Sequence, residues 1–216
     1  MFPIFKTNIA IILIMIISGC SSEQKIDSMS MPPEKPELFP KLSERNRLLG
    51  DLLPERTCYD VKHYSINIDI DVKKKYIKGF IDITATATDD FTKLQVDLER
   101  KMRLNGVYFL DQKLKTSRKE DAIFIEFPKI AQGDNITFRI DYEGKPVEAK
   151  NPPWDGGFVW EKDKKGRAYV SVACEGDGAS LWWPLKDLIS DEPDYGATMT
   201  FTVPEELFCV SNGRLL

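Results

Sequence analysis

The clearest pattern in this chain is an alternation of apolar and polar residues that begins at Tyr64. The apolar positions are Tyr64, Ile66, Ile68, Ile70 and Val72. Successive side chains of a β-strand point to opposite faces, so this segment predicts a strand with one buried and one exposed face. Residues 73–75, all lysine, predict the tip of a hairpin, and the β-branched segment 77–88 predicts the returning strand.

Shorter segments of the same kind follow along the rest of the chain. They are rich in β-branched and aromatic residues and are separated by turn-forming sequences such as Gln-Gly-Asp-Asn at 132–135. The further predicted strands span residues 94–98, 107–110, 122–127, 136–142, 158–161, 169–174, 197–203 and 207–210. No segment has the pattern of an amphipathic helix longer than two turns. We therefore predict an all-β domain, either an antiparallel β-sandwich or a saddle-shaped sheet.

The first 58 residues differ in character from the rest. Residues 1–19 contain Lys6, an uncharged apolar run over 9–17, and then Ser18-Gly19 before Cys20. This order is typical of a cleavable export signal, and the run is shorter than the ~20 apolar residues that cross a bilayer. Residues 20–58 begin with a segment rich in Ser, Glu, Lys and Pro, which predicts a flexible tether ahead of a folded domain at 59–216.

Ser18-Gly19-Cys20 resembles the lipobox of bacterial lipoproteins. The resemblance implies that the sulfur of Cys20 is acylated and that Cys20 becomes the new N-terminus. Serine rather than aspartate follows Cys20, which by the same resemblance favours the outer membrane of a diderm bacterium. We therefore expect a cell-envelope protein held at a membrane by its lipid anchor. The alternative is an ordinary secretory signal in which Cys20 has no special role.

Composition narrows the possible partners. The chain has 216 residues, 30% of them charged, and a formal net charge of −4 without a basic cluster. Binding to nucleic acid needs grouped Lys and Arg, so we expect no nucleic-acid partner. Cys58, Cys174 and Cys209 have no C-x-x-C spacing and predict neither a disulfide framework nor a zinc knuckle. One disulfide among them and buried free thiols both stay open.

One stretch, residues 174–201, is more specific than the strand pattern. Its landmarks are Glu175, Trp183, Pro184, Asp191-Glu192-Pro193, Tyr195 and Ala197-Thr198. Their order, with Glu175 nine residues before Pro184, resembles the N-terminal domain of the aminopeptidase N family of zinc metallopeptidases. The segment 59–64 and the strand that ends near Asp97 are similar to the same family, so the resemblance covers about 59–216. About four residues near 188–191 look inserted, which leads us to expect an altered loop there.

The resemblance also shows what this sequence lacks. Enzymes of the family hydrolyse the first peptide bond of a peptide with a zinc ion held by His-Glu-x-x-His and a later Glu. The chain contains one histidine, His63, and no Gly-x-Met-Glu-Asn segment that would hold the substrate backbone. We therefore expect no catalytic residue, metal ligand or cofactor here, with zinc only in a catalytic domain. We expect a fragment or early-terminated form that is inactive alone.

Glu175 is the candidate site residue. In the family, the matching Glu or Gln projects into the catalytic cleft and, with acids of the next domain, binds the free α-ammonium of a peptide substrate. A carboxylate is suited to this because it pairs with a cation. The alternative is that Glu175, beside Gly176, is an ordinary polar loop residue. Trp182 and Trp183 are expected to pack in the core or at a domain interface rather than line a substrate wall.

Two other hypotheses stay open. The first is a stand-alone binding module at the cell envelope, which requires Trp154, Trp160, Trp182 and Trp183 to line one open face. The second is a split peptidase whose zinc domain is a separate polypeptide. That hypothesis predicts an exposed apolar surface near Glu175 in this domain. A Ser or Cys hydrolase has little support, because His63 is the only imidazole that could act as a base.

Overall fold

Three β-sheets make up the folded part of the chain, which begins at Lys41. A computed structural model describes residues 41–215, so the predicted signal peptide and Cys20 lie outside the described residues. The elements, in chain order, are α1 (Glu44–Gly50), α2 (Pro54–Thr57), β1 (Tyr59–Asp71), β2 (Tyr76–Ala87), β3 (Phe91–Asp97), β4 (Arg103–Phe109), β5 (Gln112–Lys113), β6 (Thr116–Lys119), β7 (Ala122–Ile130), β8 (Asn135–Gly144), β9 (Gly157–Lys162), β10 (Ala168–Ala173), a 3₁₀ turn (Ala179–Leu181) and β11 (Ala197–Thr202). The predicted all-β fold is confirmed.

The largest sheet has the strand order β11-β1-β2-β8-β4-β5. Strands β1 and β2 form the predicted hairpin, and Ile66 and Ile68 of β1 are buried. β1 begins at Tyr59, five residues before the regular alternation that starts at Tyr64. A β-bulge between Val61 and His63 interrupts the alternation of side chains in this first part of the strand. All pairs in this sheet are antiparallel except β1–β11, which is parallel, so the predicted antiparallel arrangement does not hold at this edge.

The second sheet, in the order β3-β7-β6, packs against the first to form one hydrophobic core. Leu94 and Ile125 of the second sheet are fully buried. Phe127 of β7 meets Phe138 of β8 edge to face, with ring centroids 5.3 Å apart. Apolar faces of two sheets that bury each other in this way form the sandwich that the strand pattern predicted.

The smallest sheet consists of β9 and β10 paired antiparallel. Phe158 of β9 is 3% exposed and belongs to the same core cluster as the larger sheets. β10 pairs only with β9, so one edge of β10 has no strand partner among the described residues. The loop that follows β10 contains Glu175, and the β9–β10 hairpin therefore sets the start of that loop.

The strand predicted at residues 207–210 is not formed. Among residues 207–210, only the N–H of Leu207 donates a hydrogen bond to a backbone carbonyl, that of Pro204, at 2.9 Å within a turn. Phe208 is 76% exposed and Val210 is 85% exposed. The apolar residues are present, but no neighbouring strand supplies the ladder of hydrogen bonds that defines a β-strand.

Residues 41–58, which were predicted to belong to the tether, lie in the folded part, and residues 20–40 lie outside the described residues. Helix α1 begins after Ser43, whose hydroxyl accepts a hydrogen bond from Asn46 N at 3.1 Å. Arg56 of α2 is fully buried against the sheets. A helix this short is unstable alone and depends on such contacts, which the sequence pattern does not display. Among residues 41–215, no helix is long and apolar enough to cross a membrane.

Candidate functional site

Glu175 lies in a tight loop between β10 and the 3₁₀ turn. Gly178 N donates a hydrogen bond to Cys174 O at 2.9 Å, which closes the loop. Gly176 and Gly178 have φ angles of +83° and +84°, a backbone conformation that glycine adopts without the steric penalty of a Cβ. The side chain of Glu175 is exposed, and no group within residues 41–215 pairs with its carboxylate. The loop therefore presents a free carboxylate.

Polar contacts hold this loop on both sides of Glu175. Asp177 Oδ2 accepts a hydrogen bond from Gly156 N at 2.9 Å, which joins the loop to the start of β9. Asp187 Oδ2 accepts a hydrogen bond from Ser180 N at 3.1 Å. A Cβ on Gly178 would lie 2.1 Å from Asp187 Oδ2, so the approach of these two residues requires glycine. The backbone around Glu175 is thus fixed while its side chain remains accessible.

A buried ion pair lies behind the loop. Arg56 Nη2 is 3.2 Å from Asp97 Oδ2, and both side chains are almost completely buried. Gln95 Nε2 donates to Asp97 Oδ1 at 2.7 Å, and Asp187 N donates to Asp97 Oδ2 at 3.2 Å. Burial raises the pKa of Asp97 to about 6, and the positive charge of Arg56 opposes that rise. The family resemblance included the strand that contains Asp97, whereas Arg56 and Asp187 lie in no motif that points to this role.

The predicted insertion near 188–191 lies between two anchored ends. Lys186 is 5% exposed, and its ammonium pairs with Asp191 and donates to Tyr59 O. The same ammonium lies 4.5 Å from the centroid of the Tyr59 ring, a favourable cation–π distance. Ile189, by contrast, is 100% exposed. Ile189 and Ser190, within the predicted insertion, are therefore exposed to solvent, while Lys186 holds Asp191 and β1 together.

Trp182 and Trp183 pack inside the domain, as predicted. Trp183 is 8% exposed and meets Tyr64 edge to face at 5.0 Å between ring centroids. Trp182 is half-buried, stacks on Phe201 at 6.3 Å and contacts Phe158 edge to face at 5.6 Å. These rings join the β9–β10 hairpin to β1 and β11 of the six-stranded sheet.

The tryptophans do not form the open aromatic face that the binding-module hypothesis requires. Trp154 is 81% exposed, whereas Trp183 is buried. Trp160 is half-buried and stacks on Phe158 at 5.0 Å between ring centroids. Only Trp154 of the four presents most of its surface to solvent, so the structure gives no support to that hypothesis.

The histidine and the described cysteines are not arranged as metal ligands or as a nucleophile. His63 Nε2 lies 3.2 Å from Thr198 Oγ1 across the β1–β11 pair. Cys58, Cys174 and Cys209 are free thiols, and burial raises the pKa of Cys58 to about 11. No group of three His, Cys, Asp or Glu side chains within residues 41–215 is placed to hold a metal ion.

An open apolar groove of about 630 Å³ runs between β10 and residues 207–212. Met199 and Phe201 of β11 and Trp182 contribute to its lining. Val172, 38% exposed, lies in β10 three residues before Glu175, and Phe208, 76% exposed, lies in the facing segment. The groove therefore exposes apolar side chains, and one of its strands, β10, leads directly into the loop that contains Glu175.

Comparison with solved structures assigns this fold to a known class. A two-domain M1 zinc metallopeptidase bound to L-arginine is similar with a TM-score of 0.55 at 22% identity, over 72% of this chain and 37% of that chain. An M1 zinc metallopeptidase from Deinococcus radiodurans bound to a Tyr-Ser-Ala substrate has a TM-score of 0.54 at 22% identity, with the same coverage. Yeast LTA4 hydrolase in complex with bestatin has a TM-score of 0.54 at 18% identity, over 72% of this chain and 25% of that chain. The chain therefore has the fold of one part of these larger proteins.

The family itself is defined by sequence. Residues 60–215 match the family model of the Peptidase M1 N-terminal domain, and the chain belongs to this family. This result confirms the resemblance to the N-terminal domain of aminopeptidase N-like zinc metallopeptidases that residues 174–201 indicated. The chain spans well under half the length of the M1 structures it matches. No curated protein matches it.

Proposed function

We propose that this chain is the non-catalytic N-terminal domain of an aminopeptidase N-like zinc metallopeptidase and that Glu175 binds the free α-ammonium of a peptide substrate. The observation that carries the proposal is the loop at 174–178. It presents an exposed, unpaired carboxylate from a backbone that is held on both sides by Asp177 and Asp187. In the complete enzyme, a separate catalytic domain would hold the zinc ion and remove N-terminal residues from peptides.

The chemistry of the contact explains why this domain would not act alone. A carboxylate and an ammonium form a charge-assisted hydrogen bond that is stronger than a neutral one. An ion pair exposed to water contributes only about 0–1 kcal/mol, because solvent screens it. Glu175 is exposed in this domain, so it can select a free N-terminus only when a second domain encloses the loop and excludes water. We therefore expect neither tight peptide binding nor hydrolysis by this chain alone.

The apolar groove beside β10 supports association with such a domain. Val172 and Phe208 are exposed there, and all the residues that line the groove are uncharged. Burying apolar surface of this kind favours association. The catalytic domain could belong to the same polypeptide or to a separate chain, and either arrangement would use this side of the domain.

A lipid anchor at Cys20 would place the enzyme at the cell envelope, most simply at the outer membrane of a diderm bacterium. The support is the Ser18-Gly19-Cys20 sequence after an apolar run. Growth with a labelled fatty acid should label the protein, and Cys20→Ser should remove both the label and the membrane association. Labelling that persists in Cys20→Ser would exclude this cysteine as the acceptor.

The test of Glu175 needs the catalytic partner. A downstream or adjacent coding segment with His-Glu-x-x-His should be expressed together with this chain, and cleavage of aminoacyl anilides should be measured. Glu175→Ala should lower kcat/KM by about 10- to 100-fold, mainly through KM, because it removes a hydrogen bond to a charged group that is worth about 1.5–3 kcal/mol. Glu205→Ala, at an exposed acid after β11, is the matched control and should leave kcat/KM unchanged.

Two results would contradict the proposal. One is activity of Glu175→Ala equal to that of the unmodified protein. The other is zinc-dependent hydrolysis by the purified chain without a partner.

A further inference from the structure

The segment ahead of the matched family domain is connected to the Glu175 loop indirectly, through the buried side chain of Arg56 and through Asp187. Arg56 lies on α2, outside residues 60–215, and its side chain is fully buried. Its Nη2 donates to Asp187 O at 2.6 Å and to Asp97 Oδ2 at 3.2 Å. Its Nη1 donates to Leu49 O at the end of α1. One guanidinium therefore joins the helical segment, β3 and the residue that holds the loop.

Asp187 connects Arg56 to the loop. Its carbonyl oxygen accepts from Arg56, and its backbone N–H donates to Asp97. Its carboxylate accepts from Ser180 N at 3.1 Å and packs directly against Gly178, which closes the Glu175 loop. A shift of the Asp187 backbone would therefore move the acceptor that fixes the 3₁₀ turn and, through it, the loop.

We infer that Arg56 is a positioning residue for Glu175, acting through Asp187; the consequence for substrate binding rests on the function proposed above. Nη2 of the planar guanidinium donates to both the Asp97 carboxylate and the Asp187 carbonyl, while Nη1 donates to Leu49 O; a lysine ammonium has one nitrogen and does not reproduce donors at both places. Arg56 Nε is buried without a hydrogen-bond partner among the described residues. A buried N–H without a partner lowers the free energy of unfolding. This cost fits a side chain that is retained for the geometry it fixes rather than for its contribution to stability.

The competing explanation is that Arg56 only attaches α2 to the domain. In that case its loss would weaken the whole folded unit, and the most protected backbone amides would exchange faster together with the loop. If Arg56 positions the loop, the amides of the loop should be affected more than those of the core. Amide hydrogen exchange followed residue by residue separates these cases, because local and global opening have different free energies.

The experiment compares Arg56→Gln with the unmodified protein. Exchange of the Ser180 amide should accelerate at least about tenfold more than exchange of the core amides of Ile81 and Ile140, and the Ser180 amide resonance should shift. Arg56→Lys should give a smaller acceleration in the same direction. It also serves as the test if Arg56→Gln does not fold. Equal acceleration of loop and core amides, or an unchanged Ser180 amide in a folded variant, would overturn the inference.

Glu55→Gln is the control. Glu55 also lies on α2 and pairs with Lys93 of β3 at 3.7 Å, and no contact within residues 41–215 joins that pair to Asp187 or Ser180. It should leave the Ser180 amide unchanged relative to the core. If it accelerates Ser180 selectively, the effect of Arg56 is not specific.

A second measurement separates this inference from the proposed function. With the catalytic domain present, Arg56→Gln should raise KM, and it should add no further increase in a Glu175→Ala background, since coupled residues are not additive. If Arg56→Gln accelerates exchange of the Ser180 amide but neither the Arg56 nor the Glu175 substitution changes KM, the proposed function is refuted and the positioning role of Arg56 is retained. A KM effect of Glu175→Ala without an exchange effect of Arg56→Gln would support the function and refute the positioning.

Discussion

The buried carboxyl of Asp97 should make this domain less stable as the pH rises from about 4 to about 7. Its pKa is raised from 3.8 to about 6 in the folded protein, chiefly because burial disfavours the charged form. The folded state then binds the proton more tightly than the unfolded state between these two values. The stabilising contribution of the protonated carboxyl is complete below the unfolded pKa and is lost as the pH rises through the folded pKa.

The size of the effect follows from the pKa difference. A pKa that rises from 3.8 to about 6 corresponds to roughly 3 kcal/mol of differential stability, since a tenfold change in proton affinity is worth about 1.4 kcal/mol. The side chain is buried almost completely, so solvent screening does not reduce this value greatly. Arg56 and Gln95 stabilise the charged form and act against desolvation, and their contributions are already contained in the shifted pKa. Roughly 3 kcal/mol is therefore the expected upper size of the pH dependence.

Urea unfolding followed by tryptophan fluorescence measures this directly, because Trp183 is buried in the folded state. The free energy of unfolding should be compared between the unmodified protein and Asp97→Asn at several pH values. The difference between the two should change by up to roughly 3 kcal/mol between about pH 4 and pH 7, with Asp97→Asn gaining relative stability as the pH rises. Asp97→Asn should still be less stable in absolute terms, because Asn cannot accept all the hydrogen bonds that Asp97 receives.

Asp111→Asn is the control. Asp111 is exposed and has a positive φ of 61°, which asparagine tolerates, so this variant should follow the unmodified protein at every pH. A difference between Asp97→Asn and the unmodified protein that is constant with pH would refute the reasoning. A difference of the opposite slope would show that Arg56 outweighs burial and lowers the pKa of Asp97.

Two further predictions concern the loop and a buried thiol. Gly178→Ala should destabilise the domain by about 1 kcal/mol or more beyond Gly176→Ala, because both residues have positive φ but only Gly178 lies against Asp187; equal urea midpoints would contradict this. Burial raises the pKa of Cys58 to about 11, so little of this thiol is ionised at pH 8 in the folded protein. Its reaction with a thiol reagent at pH 8, followed by peptide mass spectrometry, should be at least about 100-fold slower in the folded than in the unfolded protein. Similar rates in the two states would show an accessible thiolate.

The candidate site was only partly predictable from the sequence. The spacing of Glu175 and Pro184 identified the loop. Gly176 and Gly178 are the residues of this loop that have positive φ angles, which glycine adopts readily. Arg56 and Asp187 carry no signal of their own, because Arg56 is separated from Asp97 by 41 residues and from Asp187 by 131 residues. A buried ion pair between distant segments arises from chain topology, and a single sequence does not display topology.

The alternation of side chains was sufficient to predict most strands, because period two is a local property of the extended backbone. Residues 77–88 and 136–142 correspond to β2 and β8, whose apolar faces form the core. The polar strand β6 and the short helix α1 were missed, since neither has a long apolar periodicity. Their structure depends on neighbours that they meet only after folding.

The sequence by itself determined the all-β class, the hairpin at β1–β2 and the family of this domain, since each depends on residues close together in the chain. Only the tertiary structure decided the parallel pairing of β1 with β11, the open backbone of residues 207–210 and the inclusion of α2 in the folded unit. The physical reason is the same in each case. Hydrogen bonds and burial between distant segments depend on which partner is available in space. The apolar pattern of a segment indicates that one of its faces is buried, but it does not indicate which other segment buries that face.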